Sequence, residues 1–299
     1  MSKKILAVYY TQSGQLGQIV DNFTSVFSAA GASVEKVVVE PVPGFSFPWT
    51  SARFFDAMPE SVLGIPCALA PFEIKEDSYD LIIFAYQPWY LSPSIPATAV
   101  LQHPVFKAVV KNTPVVTVIG ARNMWLKAQE RVKEALKQNG ARLVGNIALV
   151  DRNSNLVSAV TILYWMLTGK KDSMWGIFPK PGIADAAIAN MHVFGTTVLQ
   201  HLLADNWPAL QPALVQQQAV EVKPNLMFIE PRATKLFSIW ANIIIKKKNR
   251  RAWLVLFKYY LLIALFIIAP IVLIINIVLF RPFLSKSINK KKQYYLAVN

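Results

Sequence analysis

Cysteine is nearly absent. Cys67, alone among 299 residues, excludes an intrachain disulfide framework, a zinc ribbon and a cysteine-ligated cluster. Histidine is almost as scarce: His103, His192 and His201 lie far apart without metal-ligand spacing, which argues against a metal enzyme and assigns no metal site. Neither the three-glycine dinucleotide fingerprint nor the Gly-Lys-Ser/Thr of a P-loop occurs, so NAD in a Rossmann site and ATP are both disfavoured. Charge is thin as well. With 16% charged and 54% hydrophobic residues, the chain is too apolar for disorder and for an ordinary soluble enzyme. Its length suits one sizeable domain with an appendage.

Acidic residues stop at Glu230, and this locates the net charge of +14. Of the 31 Lys and Arg, twelve follow Ala233, leaving 19 basic against 17 acidic residues in the near-neutral remainder. Charge gathered on a tail points to a membrane and not to a nucleic-acid groove. Within that tail Tyr259–Phe280 reads YYLLIALFIIAPIVLIINIVLF, without a charge, and as a helix it would cross a hydrocarbon core of ~30 Å. Trp253, Tyr259 and Tyr260 suit the interface. Pro270 and Asn276 interrupt the run and both flanks are basic, so a single span and a re-entrant or interfacial hairpin both stay open. Met1-Ser2-Lys3-Lys4 leads straight into a strand-like run, without a signal peptide. The expectation is a protein on the cytoplasmic face of the inner membrane, held by its C-terminal segment.

The first two hundred residues alternate strand and helix signals, as a doubly wound parallel α/β sheet should. Lys4–Tyr10, Val34–Val39, Leu81–Tyr86, Val115–Ile119 and Leu143–Val150 read as five strands, apolar enough to be covered on both faces. Helical spacing of Leu16, Ile19, Val20, Phe23, Val26 and Phe27 follows the first strand, and a helix from about Asn123 to Gln138 follows the fourth. The expected organisation is a domain over 1–205 with insertions at about 41–78 and 153–182. A linker over 206–245 and a basic-flanked anchor over 246–299 follow, the anchor's apolar core being 259–280. A cut after Arg232 is then expected to release a soluble, folded body. Leu156–Leu167, in the second insertion, reads either as a helix buried beside the sheet or as one lying in a membrane interface.

Ligands of open parallel sheets bind outside the carboxyl ends of the strands, and three loops leave such ends here. Thr11-Gln12-Ser13-Gly14-Gln15-Leu16 offers hydroxyls, a glycine and a helix N-terminus, a nest for a phosphate without any Lys or Arg, or else a plain capped turn. Gln87-Pro88-Trp89-Tyr90 offers a wall on which a flat ring stacks, or simple packing. Gly120-Ala121-Arg122-Asn123-Met124-Trp125 offers a glycine for close approach, polar donors and another tryptophan.

From Lys4 to about Leu203 the chain resembles the flavodoxin-like superfamily, whose members bind FMN with loops in these three places. Thr11, Ser13 and Gly14 are similar to that family's phosphate loop, though Leu16 stands where a hydroxyl residue is usual. More narrowly, KILAVYYTQSGQL, FPWTSARFFDAMPES, IGARNMW and the apolar tail resemble the bacterial proteins labelled dialkylresorcinol condensing enzymes, of flexirubin-type aryl-lipid biosynthesis. The resemblance implies FMN held by Thr11, Gln12, Ser13, Gly14, Gln15 and Leu16, by Pro88, Trp89 and Tyr90, and by Gly120, Arg122, Asn123 and Trp125. Arg122 would stabilise the flavin's reduced, anionic form and Tyr90 would accept a proton. Cys67 lacks the partners of a condensing nucleophile, so the implied step is oxidative aromatisation of a cyclohexanedione-like ring on a lipidic substrate. The implied partners are membrane lipids and a ketosynthase or acyl carrier protein. The same fold also suits a membrane-tethered quinone reductase, for which NAD(P)H would be co-substrate. It equally suits a flavodoxin-type electron carrier or a non-catalytic membrane scaffold.

Overall fold

In the computed structural model, which describes residues 2–280 and 285–298, five strands form one parallel sheet: β1 Lys4–Tyr9, β2 Ser33–Val38, β3 Leu81–Tyr86, β4 Pro114–Ala121 and β5 Arg142–Val150. Their spatial order is β2-β1-β3-β4-β5. This is the flavodoxin-like order, with its switch point between β1 and β3. The central strands are buried, except Lys4 at the start of β1 and the partly buried Gly120 of β4, because both pleat faces are covered. Ile5, Ala7, Ile83 and Val116 face helices α1 (Gln15–Ala29) and α5 (Met191–Leu203). Leu6, Val8, Ile82 and Val115 face α2 (Ile95–Gln102) and α3 (Leu126–Gln138). The apolar stretch of the second insertion is helix α4 (Asn155–Thr168), and the first insertion carries two short helices, Ser51–Asp56 and Met58–Leu63.

The segment expected to be a linker is folded instead. Helix α6 (Pro224–Ile244) fills half of it and packs along Met58–Leu63. Ala241 and Ile244 of α6, together with Leu254 and Phe257, bury Phe55, Met58 and Val62 in a cluster of their own. Scattered prolines suggested a linker, yet Pro224 sits in the first turn, where a missing N–H costs nothing.

The apolar tail forms helix α7 (Arg250–Val278), joined to α6 by five residues and antiparallel to it. It contains a π-helical turn at Ala264–Ile268, just before Pro270, whose ring nitrogen has no proton to donate. Helix α8 (Ser285–Leu296) then returns to the body. Arg281, one of the expected basic flanks, and the first and last residues lie outside the described residues.

Candidate functional site

The three loops meet at the carboxyl edge of the sheet. The first runs from β1 into α1, and Gly14 caps the helix at φ 81°, with open space where a Cβ would stand. The first N–H groups of a helix have no intrahelical partner. Thr11 satisfies one, its Oγ1 accepting from the Gly17 N–H at 3.4 Å. Side chains fix the remainder of the loop to its surroundings. Gln12 accepts from the Tyr10 hydroxyl and donates through Nε2 to the carbonyls of Phe45 (3.2 Å) and Ser46 (3.0 Å). Buried Gln15 donates through Nε2 to the Ile183 carbonyl at 3.0 Å and accepts from its N–H at 3.2 Å. Those amides are committed to holding the loop in place, although Gln12 and Gln15 still line the hollow beside it together with Ser13. Leu16 is core, its Cδ1 3.3 Å from where a Gly120 Cβ would stand.

The second loop is a tight hairpin, Pro88–Trp89 against Ser92–Pro93, with Tyr90 and Leu91 at positive φ at its tip. Trp89 stands in an aromatic box with Tyr10, Phe45 and Trp49, rings edge to face at 5.0–6.1 Å. Tyr90 has another task than accepting a proton. Its hydroxyl donates to the Phe54 carbonyl at 2.6 Å, its ring packs against Phe54, Phe237 and Phe257, and burial pushes the phenol well above its ordinary range. It pins the hairpin to α6 and α7.

In the third loop Arg122 donates through Nη1 to the Asn155 carbonyl (2.9 Å) and side-chain oxygen (3.0 Å), where Asn123 also donates at 2.7 Å. Both residues thus hold the start of α4. Burial pulls the guanidinium down to about 10, opposed by the charges of Asp151 and Glu230, so it stays cationic at neutral pH. Trp125 does not border the site: at 1% exposure it lies in the core beneath α3.

Between these loops lies a cavity of about 660 Å³, within the ~300–1,000 Å³ common to small-molecule sites. Gln12, Ser13, Pro88, Trp89, Gly120 and Arg122 line its inner end. It continues past Trp165 and Met166 of α4 and Arg232 and Phe237 of α6 to Leu261, Leu265 and Val272 of α7. The hollow therefore joins the edge of the sheet to the apolar tail, a connection absent from the sequence-based expectation. Two of its lining donors are buried without a protein partner, Gln87 Nε2 and Trp49 Nε1. Both lie in segments that stood out in the sequence, the residue after β3 and the aromatic FPWTSARFFDAMPES stretch. Only tertiary packing shows that their nitrogens are unpaired. A smaller hollow of about 370 Å³, lined by Lys3, Asp80, Asn112 and Arg142, opens at the amino ends of the strands, away from all three loops.

No family model and no curated protein matches the sequence. Among solved structures, similar folds include a flavoprotein in complex with FMN from Lactobacillus acidophilus (19% identical, TM-score 0.40, covering 49% of this chain and 93% of that one). Another is oxidised flavodoxin 1 from Bacillus cereus (14% identical, TM-score 0.35, covering 66% and 98%). An archaeal flavodoxin, 10% identical with a TM-score of 0.35, covers 67% and 99%. This chain has the flavodoxin-like fold by its own strand order, with the insertions and the three C-terminal helices added to it.

Proposed function

We propose that this chain is a membrane-associated, FMN-dependent oxidoreductase that aromatises a cyclohexanedione-like ring on a lipidic substrate, the oxidative step of dialkylresorcinol or flexirubin-type aryl-lipid biosynthesis. The observation that carries the reading is the continuity of one cavity from the β1/β3 switch point to the apolar helix α7. A flavodoxin-like sheet places FMN at that switch point, and the donor set fits it. The open cradle at Gly14 and the backbone N–H groups at the start of α1 suit a phosphate, and Ser13 adds a hydroxyl. The unpaired Gln87 Nε2 and Trp49 Nε1 suit the polar edge of a flat ring, and Trp89 supplies a wall for it. Bound there, FMN supplies acceptor chemistry for the two hydrogens that the ring loses on becoming a resorcinol.

The protein's own groups orient and enclose. Arg122 sets a positive charge in a low-dielectric wall, where it acts most strongly on an anionic ring or enolate. Arg232 adds a second cation further along, held by the Phe228 carbonyl at 2.6 Å and stacked on that ring. The aromatic box excludes water, and the apolar walls from α4, α6 and α7 match alkyl chains. A ketosynthase or acyl carrier protein would supply such a substrate.

The visible absorption spectrum of detergent-purified protein, with mass analysis of the released chromophore, tests the cofactor. A cyclohexanedione lipid offered beside NADPH then tests the reaction. Bound FMN with aromatisation of the lipid is expected. NADPH oxidation without the lipid would point to a reductase, and a colourless protein that ignores added FMN to a scaffold.

A further inference from the structure

α7 is long and apolar enough to cross a bilayer, but both of its ends are tied to one body. At its start Arg250 grips the first insertion, Nη2 reaching Glu60 Oε2 at 2.6 Å and Nε reaching Asp56 Oδ1 at 2.9 Å. Past its end, Ile288, Tyr295 and Leu296 of α8 pack on the core beside α3. There the Tyr294 hydroxyl donates to Glu130 Oε2 at 2.6 Å and Gln211 Nε2 donates to the Leu296 carbonyl at 2.8 Å. A helix of 29 residues is ~43 Å long, while the ten residue steps from Val278 to Ile288 reach at most ~35 Å when fully extended. If α7 stood upright, its far end would lie across the hydrocarbon core, and the chain would have to carry Arg281 and Lys286 back through hydrocarbon to dock α8 on the body. Returning two cations through lipid is costly.

We infer that α7 lies lengthwise in a single leaflet, making the protein monotopic, and that the cavity takes its substrate sideways from that leaflet. This rests on the membrane association proposed above. The inner side of α7, through Leu261, Leu265 and Val272, walls the cavity. The outer side presents Leu256, Tyr259, Ile263, Ile267, Ile271 and Ile274 to the surroundings. Asn276, the one strongly polar residue in the run, is buried away from that side. A second apolar patch follows α4, the helix that shares the cavity: Trp175 and Ile177 are 76% and 82% exposed on a loop with Lys170, Lys171 and Lys180. Lys246, Lys247, Lys248 and Arg251 at one end of α7, and Lys286 and Lys290–Lys292 past the other, are excess charge without acidic neighbours in sequence. With both clusters on one side of the bilayer they complement one anionic surface, which is the occupant these faces fit.

The test uses full-length Cys67→Ser protein carrying single cysteines at Lys248, Ile267 or Ser287. Each is added from detergent to preformed vesicles of phosphatidylglycerol and phosphatidylcholine and recovered by flotation. A membrane-impermeant maleimide should label Lys248→Cys and Ser287→Cys fully from outside, and Ile267→Cys only after the vesicles are dissolved. A Trp175→Ser/Ile177→Ser pair should weaken vesicle binding about tenfold or more, and pure phosphatidylcholine should bind less protein. Protection of either end residue until lysis would establish a span and overturn the in-plane placement while leaving the membrane reading intact. Failure to float would overturn both. Protection of Ile267→Cys without vesicles, rising with protein concentration, would assign the face to a second copy of the chain and overturn the proposal.

Discussion

Glu230, on α6, reaches across to the start of α3, where its Oε2 accepts the Lys127 backbone N–H at 2.9 Å. The carboxyl is fully buried, its Oε1 has no partner, and burial pushes it up to about 7 against the N–H groups that favour its charged form. A segment that reads as linker thus caps a helix of the sheet layer.

This contact gives stability a pH dependence. A carboxyl raised in the folded state contributes stability that is complete below its unfolded value and lost as pH rises through about 7. Denaturant unfolding in detergent should show a loss on the order of 3 kcal/mol between pH 4.5 and 8. Glu230→Gln should flatten that slope while keeping an acceptor for Lys127.

The C-terminal helices belong to the fold. Truncation after Arg232 removes Phe237, Ala241, Ile244 and Phe257 and exposes Phe55, Met58 and Val62. The shortened body should aggregate or lose its cooperative melting transition, where a free linker would have left it soluble and unchanged. Light scattering and calorimetry decide between the two.

The proposed phosphate cradle depends on Gly14. Asp there would place a carboxylate in the nest, so flavin retention should vanish. Asn tolerates that conformation and carries no charge, so Gly14→Asn should keep part of the retention. Equal retention in all three proteins would remove this loop from the site.

Gln87→Leu removes a buried, unpaired nitrogen. Without ligand the variant should be as stable as the parent or more so, because an unsatisfied donor is costly. FMN affinity should fall about tenfold or more, read by fluorescence titration.

α1 and α5 touch through Gly195, where an added Cβ would stand 2.4 Å from the Phe23 carbonyl oxygen. Gly195→Ala should destabilise by ~2–3 kcal/mol, the cost of forcing two helices apart. Thermal melts measure it directly.

The strand pattern, the loops at the carboxyl edge and the apolar tail were legible because each rests on local periodicity or on a composition contrast. KILAVY is apolar at every residue but its first and can only be a covered strand, and a tail without acidic residues stands out beside a neutral body. Trp125 and Tyr90 were less legible. An aromatic beside a functional loop looks the same in sequence whether it faces a cavity or the core, and here Trp125 turns into the core while Tyr90 lines the cavity with its hydroxyl already bonded to the Phe54 carbonyl.

Sequence alone therefore determined the doubly wound sheet, the positions of the three loops at its carboxyl edge and the presence of one long apolar helix. Those properties follow from backbone hydrogen bonding and from which residues avoid water within a short window. Tertiary structure decided that α6 is part of the body, that α8 returns to it, that Gln87 and Trp49 keep unpaired donors, and that a single cavity runs from the switch point to α7. Each depends on contacts between residues far apart in the chain. No local signal encodes which of several apolar faces will meet, so only close packing of the whole chain selects them.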